Sequence, residues 1–147
     1  MTELNNLKNE AIEDTRITES SIIKSSMENG LIICKWIDRY KQIAIDLKKV
    51  HHKRDNMELL LYLYYSGKAS KEQLDFLKKS KPFGLKIDNR SDIERFIKGS
   101  MIYQEIDIEL EELSQILKFI DEVIQTLKFQ NNKISNIIAY KKFLNGE

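Results

Sequence analysis

Two long stretches of this chain repeat apolar residues at alternating spacings of three and four, which constrains the fold more than any other feature. Nine of ten positions are apolar in the first stretch and nine of eleven in the second. Such a stripe makes a helix pack lengthwise against another helix, so the sequence predicts an all-α fold. The first seam comprises Ile33, Trp36, Tyr40, Ile43, Leu47, Val50, Arg54, Met57, Leu61 and Tyr64. The second comprises Ile106, Leu110, Leu113, Leu117, Ile120, Ile124, Leu127, Asn131, Ile134, Ile138 and Lys141.

Residues that break helices are scarce, with five glycines and one proline in 147 residues, and they cluster between the two seams. We predict a single helical domain, residues 1–147, in four parts. These are an N-terminal helix and break at 1–17, a long basic helix at 18–66, a loop at 67–90 with a possible short β arm at 81–87, and a long C-terminal helical region at 91–147.

The ends of these helices carry recognisable signals. Thr18 or Ser20 is suited to cap the basic helix, and Gly67 is suited to end it. Asp88 or Ser91 is suited to cap the C-terminal region, and Glu94 stands three residues after Ser91 as in a capping box.

One loop between two long helices predicts an antiparallel helical hairpin with coiled-coil-like seams. A hairpin alone has a thin core, and apolar residues off the seams need further cover, which predicts self-association. Asn131, a polar residue on the second seam, is of the kind that fixes register or oligomeric state. The apolar residues left uncovered are Ile116, Val123, Ile137, Phe143 and Leu144.

Charge is distributed in blocks, although the chain as a whole carries only +1. Residues 35–87 hold 13 basic and six acidic side chains, a net charge of +7, whereas residues 88–122 carry −6. The basic block can bind a polyanion, or it can pair with the acidic block inside the fold.

Other classes of function find little support. His51 and His52 are adjacent and point about 100° apart on a helix, which does not suit a shared metal. Cys34 is expected to be a small buried hydrophobe, and no glycine-rich phosphate loop is present. We expect no enzyme activity, no metal and no cofactor. The longest apolar run, residues 59–65, is too short for a membrane span, and we expect a soluble cytoplasmic protein.

Lysines spaced along the basic helix and continuing into the loop can each neutralise one phosphate, without reading sequence. Tyr62, Tyr64 and Tyr65 lie near Lys68, and aromatic rings beside cations suit single-stranded nucleic acid, whose bases can stack. The alternative from the same residues is an ordinary solvated helix face, with Tyr64 in the core.

Several short motifs, in order, make residues 7–147 similar to the UvsY-like recombination mediator proteins of T4-type phages. They are Lys-Trp-Ile at 35–37, Tyr-Tyr-Ser-Gly-Lys-Ala at 64–69, Lys-Pro-Phe-Gly-Leu-Lys-Ile at 81–87, Ile-Ser-Asn-Ile-Ile at 134–138 and Lys-Phe-Leu-Asn-Gly at 142–146.

The resemblance implies a non-enzymatic accessory protein of phage homologous recombination, repair and replication, acting in the host cytoplasm. Its expected partners are single-stranded DNA, a RecA-like phage recombinase, the phage single-strand-binding protein, and copies of itself in a hexameric or heptameric ring. The C-terminal region is expected to support assembly. The residues expected to do so are Leu117, Ile120, Ile124, Leu127, Ile134, Ile138, Phe143 and Leu144.

One departure from the family concerns the stretch before Tyr-Tyr-Ser-Gly, where basic residues are usual but Leu59 and Leu61 stand here. We expect DNA binding to shift to the flanking cations Lys53, Arg54, Lys68 and Lys71, and the alternative at this stretch is weaker DNA binding that relies on partners. The alternatives are a structural coiled-coil adaptor that does not bind DNA and, less favoured, a double-stranded DNA regulator. The predicted DNA-binding residues are Lys35, Arg39, Lys41, Lys48, Lys49, Lys53, Arg54, Tyr65, Lys68 and Lys71.

Overall fold

The computed structural model describes residues 2–16 and 22–146, apart from the side chains of residues 2 and 23–25. Over these residues the chain forms five α-helices and no strand, which confirms the all-α prediction. The helices are α1 (Thr2–Asp14), α2 (Ile22–Tyr65), α3 (Lys71–Phe76), α4 (Arg90–Gly99) and α5 (Met101–Leu144).

The chain divides into two compact units, and α2 and α5 contribute to both. The first unit comprises Met1–Ala44 with Ser114–Glu147, and the second comprises Ile45–Leu113. The first therefore pairs the N-terminal half of α2 with the C-terminal half of α5, and the second pairs the opposite halves. Within each unit the α2 and α5 portions run antiparallel, as the single loop between the two helices predicts.

The core of the first unit is built around Trp36, which is fully buried. Three α5 seam residues, Ile120, Ile124 and Leu127, pack around it together with Ile116 and Val123. Helix α1 covers the same core with Leu4, Leu7 and Ala11. Ile116 and Val123, predicted to need cover from another subunit, are thus covered by the chain itself.

A buried asparagine is present in the first unit, but it is Asn29 and not Asn131. The Asn29 amide donates a hydrogen bond to the Leu127 carbonyl oxygen at 3.3 Å, which satisfies a polar group that is costly to bury. Asn131 is exposed in the subunit.

The second unit has two small clusters of buried residues. Val50 of α2 packs with Ile106 and Leu110 of α5, as the two seams predict. The other cluster joins the end of α2, the connecting segment and α4, and its buried members are Leu61, Leu77, Ile93 and Ile97.

The predicted loop at 67–90 contains a helix that the sequence analysis missed. Ser70 caps α3, and Ser70 and Gln73 form both hydrogen bonds of a capping box. Residues 81–87 contain no strand, so the predicted β arm is wrong. Gly67 ends α2 as predicted, with φ of 74°. Thr18 and Ser20 lie outside the described residues.

The predicted C-terminal helical region is two helices, because the chain turns at Ser100, whose backbone is extended. The cap of α4 is Asn89, whose side chain accepts a hydrogen bond from the Ser91 N–H at 3.1 Å. Asp88 and Ser91 are not the cap, and the predicted capping box with Glu94 is absent there. Glu94 instead pairs with Arg90.

Candidate nucleic-acid interface

Two of the predicted DNA-binding cations hold α1 onto α2 in the first unit. Arg39 binds Glu10 through both guanidinium branches, at 2.6 and 2.9 Å. Lys35 donates to Glu10 at 2.9 Å and also to Asp14. Such bidentate, charge-assisted contacts fix geometry, and here they fix the docking of a short helix.

These ion pairs shift the pKa values of the groups that form them. Hydrogen bonds from Arg39 and Lys35 lower the pKa of the Glu10 carboxyl from 4.5 to about 2. Burial disfavours the charged form of Lys35, but hydrogen bonds to Asp14 and Glu10 outweigh it and raise the pKa of the amine. A phosphate approaching Lys35 or Arg39 would therefore compete with carboxylates already in place.

Three further cations on α2, in the second unit, also face carboxylates. Lys53 contacts Glu109 at 2.8 Å, which confirms that the basic helix lies beside the acidic start of α5. Lys49 contacts Asp46 at 3.3 Å, and Arg54 is 3.8 Å from Asp55. Lys41 and Lys48 are exposed, and neither has an ion pair within the described part of the chain.

Unpaired positive charge concentrates in residues 67–89, which we call the basic segment. It carries six lysines and three acids. Five of the lysines have no ion pair within residues 2–16 and 22–146, and the sixth, Lys86, is 3.9 Å from Asp88. All six are exposed. They are Lys68, Lys71, Lys78, Lys79, Lys81 and Lys86.

Backbone geometry places two of these lysines directly beyond helix ends. At the end of α2, Lys68 N–H bonds the Leu63 carbonyl oxygen, and at the end of α3, Lys79 N–H bonds the Leu74 carbonyl oxygen. This is the Schellman arrangement, which needs a left-handed residue just before each lysine. Gly67 supplies it for α2, and Lys78 supplies it for α3 with φ of 56°.

Four aromatic rings, which we call the aromatic cluster, meet beside the basic segment. Phe83 lies 5.4 Å from Tyr64, 4.9 Å from Tyr65 and 5.5 Å from Phe96, measured between ring centroids. The Lys79 amine lies 5.6 Å from the Tyr64 ring, within cation–π range. The motifs at 64–69 and 81–87 are therefore brought together by direct ring contacts.

The rings differ in how accessible they are. Tyr65 is half-buried; burial raises the pKa of its hydroxyl, and a hydrogen bond with Ser100 partly offsets this effect. Phe96 is 40% exposed, and Phe76 on α3 is 68% exposed among the lysines. Sequence analysis missed both phenylalanines. The signal for Phe76 was the Ser70–Gln73 capping box, which predicts the helix that carries it.

Leu59 and Leu61, where the resemblance led us to expect basic residues, occupy different environments. Leu61 is 2% exposed and belongs to the second unit's core, so its side chain cannot meet DNA. Leu59 is 59% exposed. Of these two positions, only Leu59 is therefore on the surface.

The residues predicted to support assembly fall into two groups. Ile120, Ile124, Leu127 and Ile134 are buried inside the subunit, which leaves no side-chain surface for a neighbouring copy. Leu117 and Ile138 are half-buried, and Phe143 and Leu144 are 76% and 62% exposed. The second group alone retains surface for contacts between subunits.

His51 and His52 are both exposed, and the described residues hold no group of three or more side chains able to bind a metal.

Cys34 is exposed, so the prediction that it is buried is wrong. Its neighbour Trp36 takes the core position instead. Within the described helices, none is long and apolar enough to cross a membrane.

The sequence profile of one protein family, described as recombination, repair and ssDNA binding protein UvsY, matches residues 10–147. The chain belongs to the UvsY family. A comparison with curated proteins finds no match.

Solved structures of UvsY, the recombination mediator protein of bacteriophage T4, share this fold. One crystal form matches with a TM-score of 0.81 and 16% identity, covering 97% of both chains. A second matches with a TM-score of 0.81 and 15% identity, covering 95% of this chain and 98% of the other. The UvsY fold is therefore retained although most side chains differ.

Proposed function

We propose that this protein is a recombination mediator that binds single-stranded DNA through the basic segment and the aromatic cluster. The observation that carries this proposal is the position of the Lys79 amine over Tyr64, in a cluster built from both family motifs. The whole chain acts as one mediator domain.

Two physical effects combine at this surface. Each unpaired lysine displaces counterions from the strand when it meets a phosphate, which gives affinity without sequence preference. Accessible rings add base stacking, which requires unpaired bases and therefore favours single strands over duplex. Phe76 and Phe96 are the stacking residues in this proposal, and Tyr64, Tyr65 and Phe83 support them.

Assembly multiplies these contacts. We propose a hexameric or heptameric ring, formed in part by Phe143, Leu144, Leu117 and Ile138, in which linked weak sites bind one strand with high avidity. Holding the strand on the ring promotes loading of a RecA-like phage recombinase in place of the phage single-strand-binding protein. This activity takes place in the host cytoplasm, and binding energy alone drives the exchange.

A titration of fluorescent oligo(dT) at increasing NaCl tests the DNA claim. We expect log K to fall linearly with log salt, by about 0.7 for each phosphate contacted. The Phe96→Leu variant should bind oligo(dT) about fivefold more weakly than the wild type. The control is the separate variant Phe129→Leu, which removes an exposed ring elsewhere on the chain. No binding in dilute buffer, or binding that ignores salt, would contradict the proposal.

The mediator and ring claims need separate measurements. Light scattering or native mass spectrometry should give a mass of six or seven subunits, and a monomer would remove the ring. A strand-exchange assay with the phage recombinase and single-strand-binding protein should show acceleration by this protein, and its absence would limit the function to DNA binding.

Ion pairs on α2 are the observation that supports the alternative of a structural adaptor. On α2, Lys53 pairs with Glu109 and Lys35 with Glu10, which is what a structural role for those cations predicts. Five of the six lysines of the basic segment have no ion pair within the described residues, and for that reason we favour DNA binding.

A further inference from the structure

A groove in the second unit lies between one face of α2 and one face of α4. Its volume is about 450 Å³, within the range of sites that bind small segments or ligands. On α2 the lining residues follow helical spacing: Asp55, Glu58, Leu59 and Tyr62. On α4 they are Arg90, Glu94 and Ile97.

The base of the groove is apolar and accessible. Leu59 is 59% exposed, and Tyr62 and the buried Ile97 line the groove beside it. An exposed leucine in a concave site gains free energy when another apolar side chain covers it.

The rim is acidic. Arg90 is 3.3 Å from Glu94, so those two charges largely cancel. Asp55 is 3.8 Å from Arg54, whereas no ion pair to Glu58 occurs in the portion of the chain described, so Glu58 carries the uncompensated negative charge of the rim. Burial raises the pKa of the nearby Tyr103 hydroxyl, the Glu58 carboxylate raises it further, and the Arg54 guanidinium opposes this effect. The groove therefore repels phosphate and attracts cations.

From this combination we infer that the groove docks a segment of a partner protein in which a lysine or arginine lies next to a bulky apolar side chain. The apolar side chain covers Leu59, and the cation meets Glu58 and Asp55. Two helix faces with residues at helical spacing form the kind of groove that binds short amphipathic segments. This inference goes beyond DNA binding and does not depend on where the strand lies.

A peptide panel with matched variants tests the inference on the full chain. The probes are three fluorescent 12-residue peptides of helical pattern: lysine with leucine, glutamate with leucine, and lysine with serine. We expect only the lysine–leucine peptide to bind, and Glu58→Lys and Leu59→Ser each to weaken it about tenfold. The controls are Glu112→Lys and Ile108→Ser, which alter an exposed acid and an exposed isoleucine of α5 outside the groove. They should change affinity less than about twofold.

Three results would overturn the inference. Equal binding of the lysine–serine peptide would show that charge alone is responsible, and equal losses in the controls would show that the groove is not the site. Weaker oligo(dT) binding by Leu59→Ser would make the groove part of the DNA surface. Failure of oligo(dT) binding in the wild type with retained peptide binding would contradict the proposed function and leave the docking groove standing.

Discussion

The indole N–H of Trp36 donates a hydrogen bond to Asp14 Oδ2 at 2.9 Å, so the centre of the first unit's core is bonded directly to α1. The same carboxylate accepts a hydrogen bond from Lys35, and the Arg39 guanidinium lies 5.0 Å from the Trp36 ring. The Lys-Trp-Ile motif therefore has a structural role: it docks the short N-terminal helix.

Replacing Trp36 by Phe should keep most of the buried ring and lose the hydrogen bond to Asp14. We expect the free energy of unfolding to fall by about 2 kcal/mol, from the lost bond and the smaller volume. Denaturant unfolding measures this, with Asp38→Ala, a change at an exposed α2 carboxylate, as the control. Unchanged stability, or a loss of oligo(dT) affinity in the folded variant, would contradict the structural role.

Glu10 should make the free energy of unfolding depend on pH. The pKa of this carboxyl is about 2 in the folded chain and 4.5 ordinarily. Its stabilisation is therefore complete above pH 4.5 and is lost as the pH falls towards 2. Because Glu10 is 35% exposed, solvent screening limits the effect to about 1 kcal/mol.

The measurement is the difference in unfolding free energy between wild type and Glu10→Gln from pH 6 to pH 2.5. The difference should shrink steadily below pH 4.5. Glu13→Gln, a change at an exposed carboxylate of the same helix, should show no such trend. A difference that stays constant with pH would rule out the coupling of Glu10 to Arg39 and Lys35.

The seams illustrate what local pattern predicts well. Trp36, Val50, Ile106 and Leu127 are all buried where the alternating spacing of three and four places them, because that spacing defines one helix face. Helix α3 was predictable in principle from Ser70 and Gln73, but a run of six residues carries too few apolar positions to show a period.

The roles of Lys35 and Arg39 could not be read from the sequence. Their partner Glu10 lies 25 and 29 residues away, in a separate helix, so no local spacing relates them. A cation paired in the fold and a cation free for phosphate look alike in a charge pattern. The aromatic cluster was hidden for the same reason, since Phe96 meets Phe83 only through tertiary packing.

The Lys78→Gly variant tests two properties of Lys78 separately: the effect of its backbone conformation on stability and the effect of its charge on DNA binding. A left-handed residue other than glycine costs about 1 kcal/mol, so the variant should be more stable by that amount. It also removes a cation of the basic segment, and the salt slope of oligo(dT) binding should fall by about 0.7. A stabilised variant with an unchanged slope would exclude Lys78 from the interface.

The ion pair between Lys53 and Glu109 can be tested by reversing its charges. Lys53→Glu should destabilise the fold by less than about 1 kcal/mol, because both side chains are largely exposed, and adding Glu109→Lys should restore it. Thermal unfolding of the single and double variants measures this. A double variant less stable than the single would show that the contact does not form.

The most direct test compares the salt dependence of oligo(dT) binding for two double variants that remove the same charge. Lys79→Ala with Lys81→Ala takes two cations from the basic segment, and Lys49→Ala with Lys53→Ala takes two that face carboxylates. We predict that the first pair reduces the slope of log K against log salt by about 1.4 and that the second leaves it unchanged. The reverse result would place the strand along α2 and contradict the account.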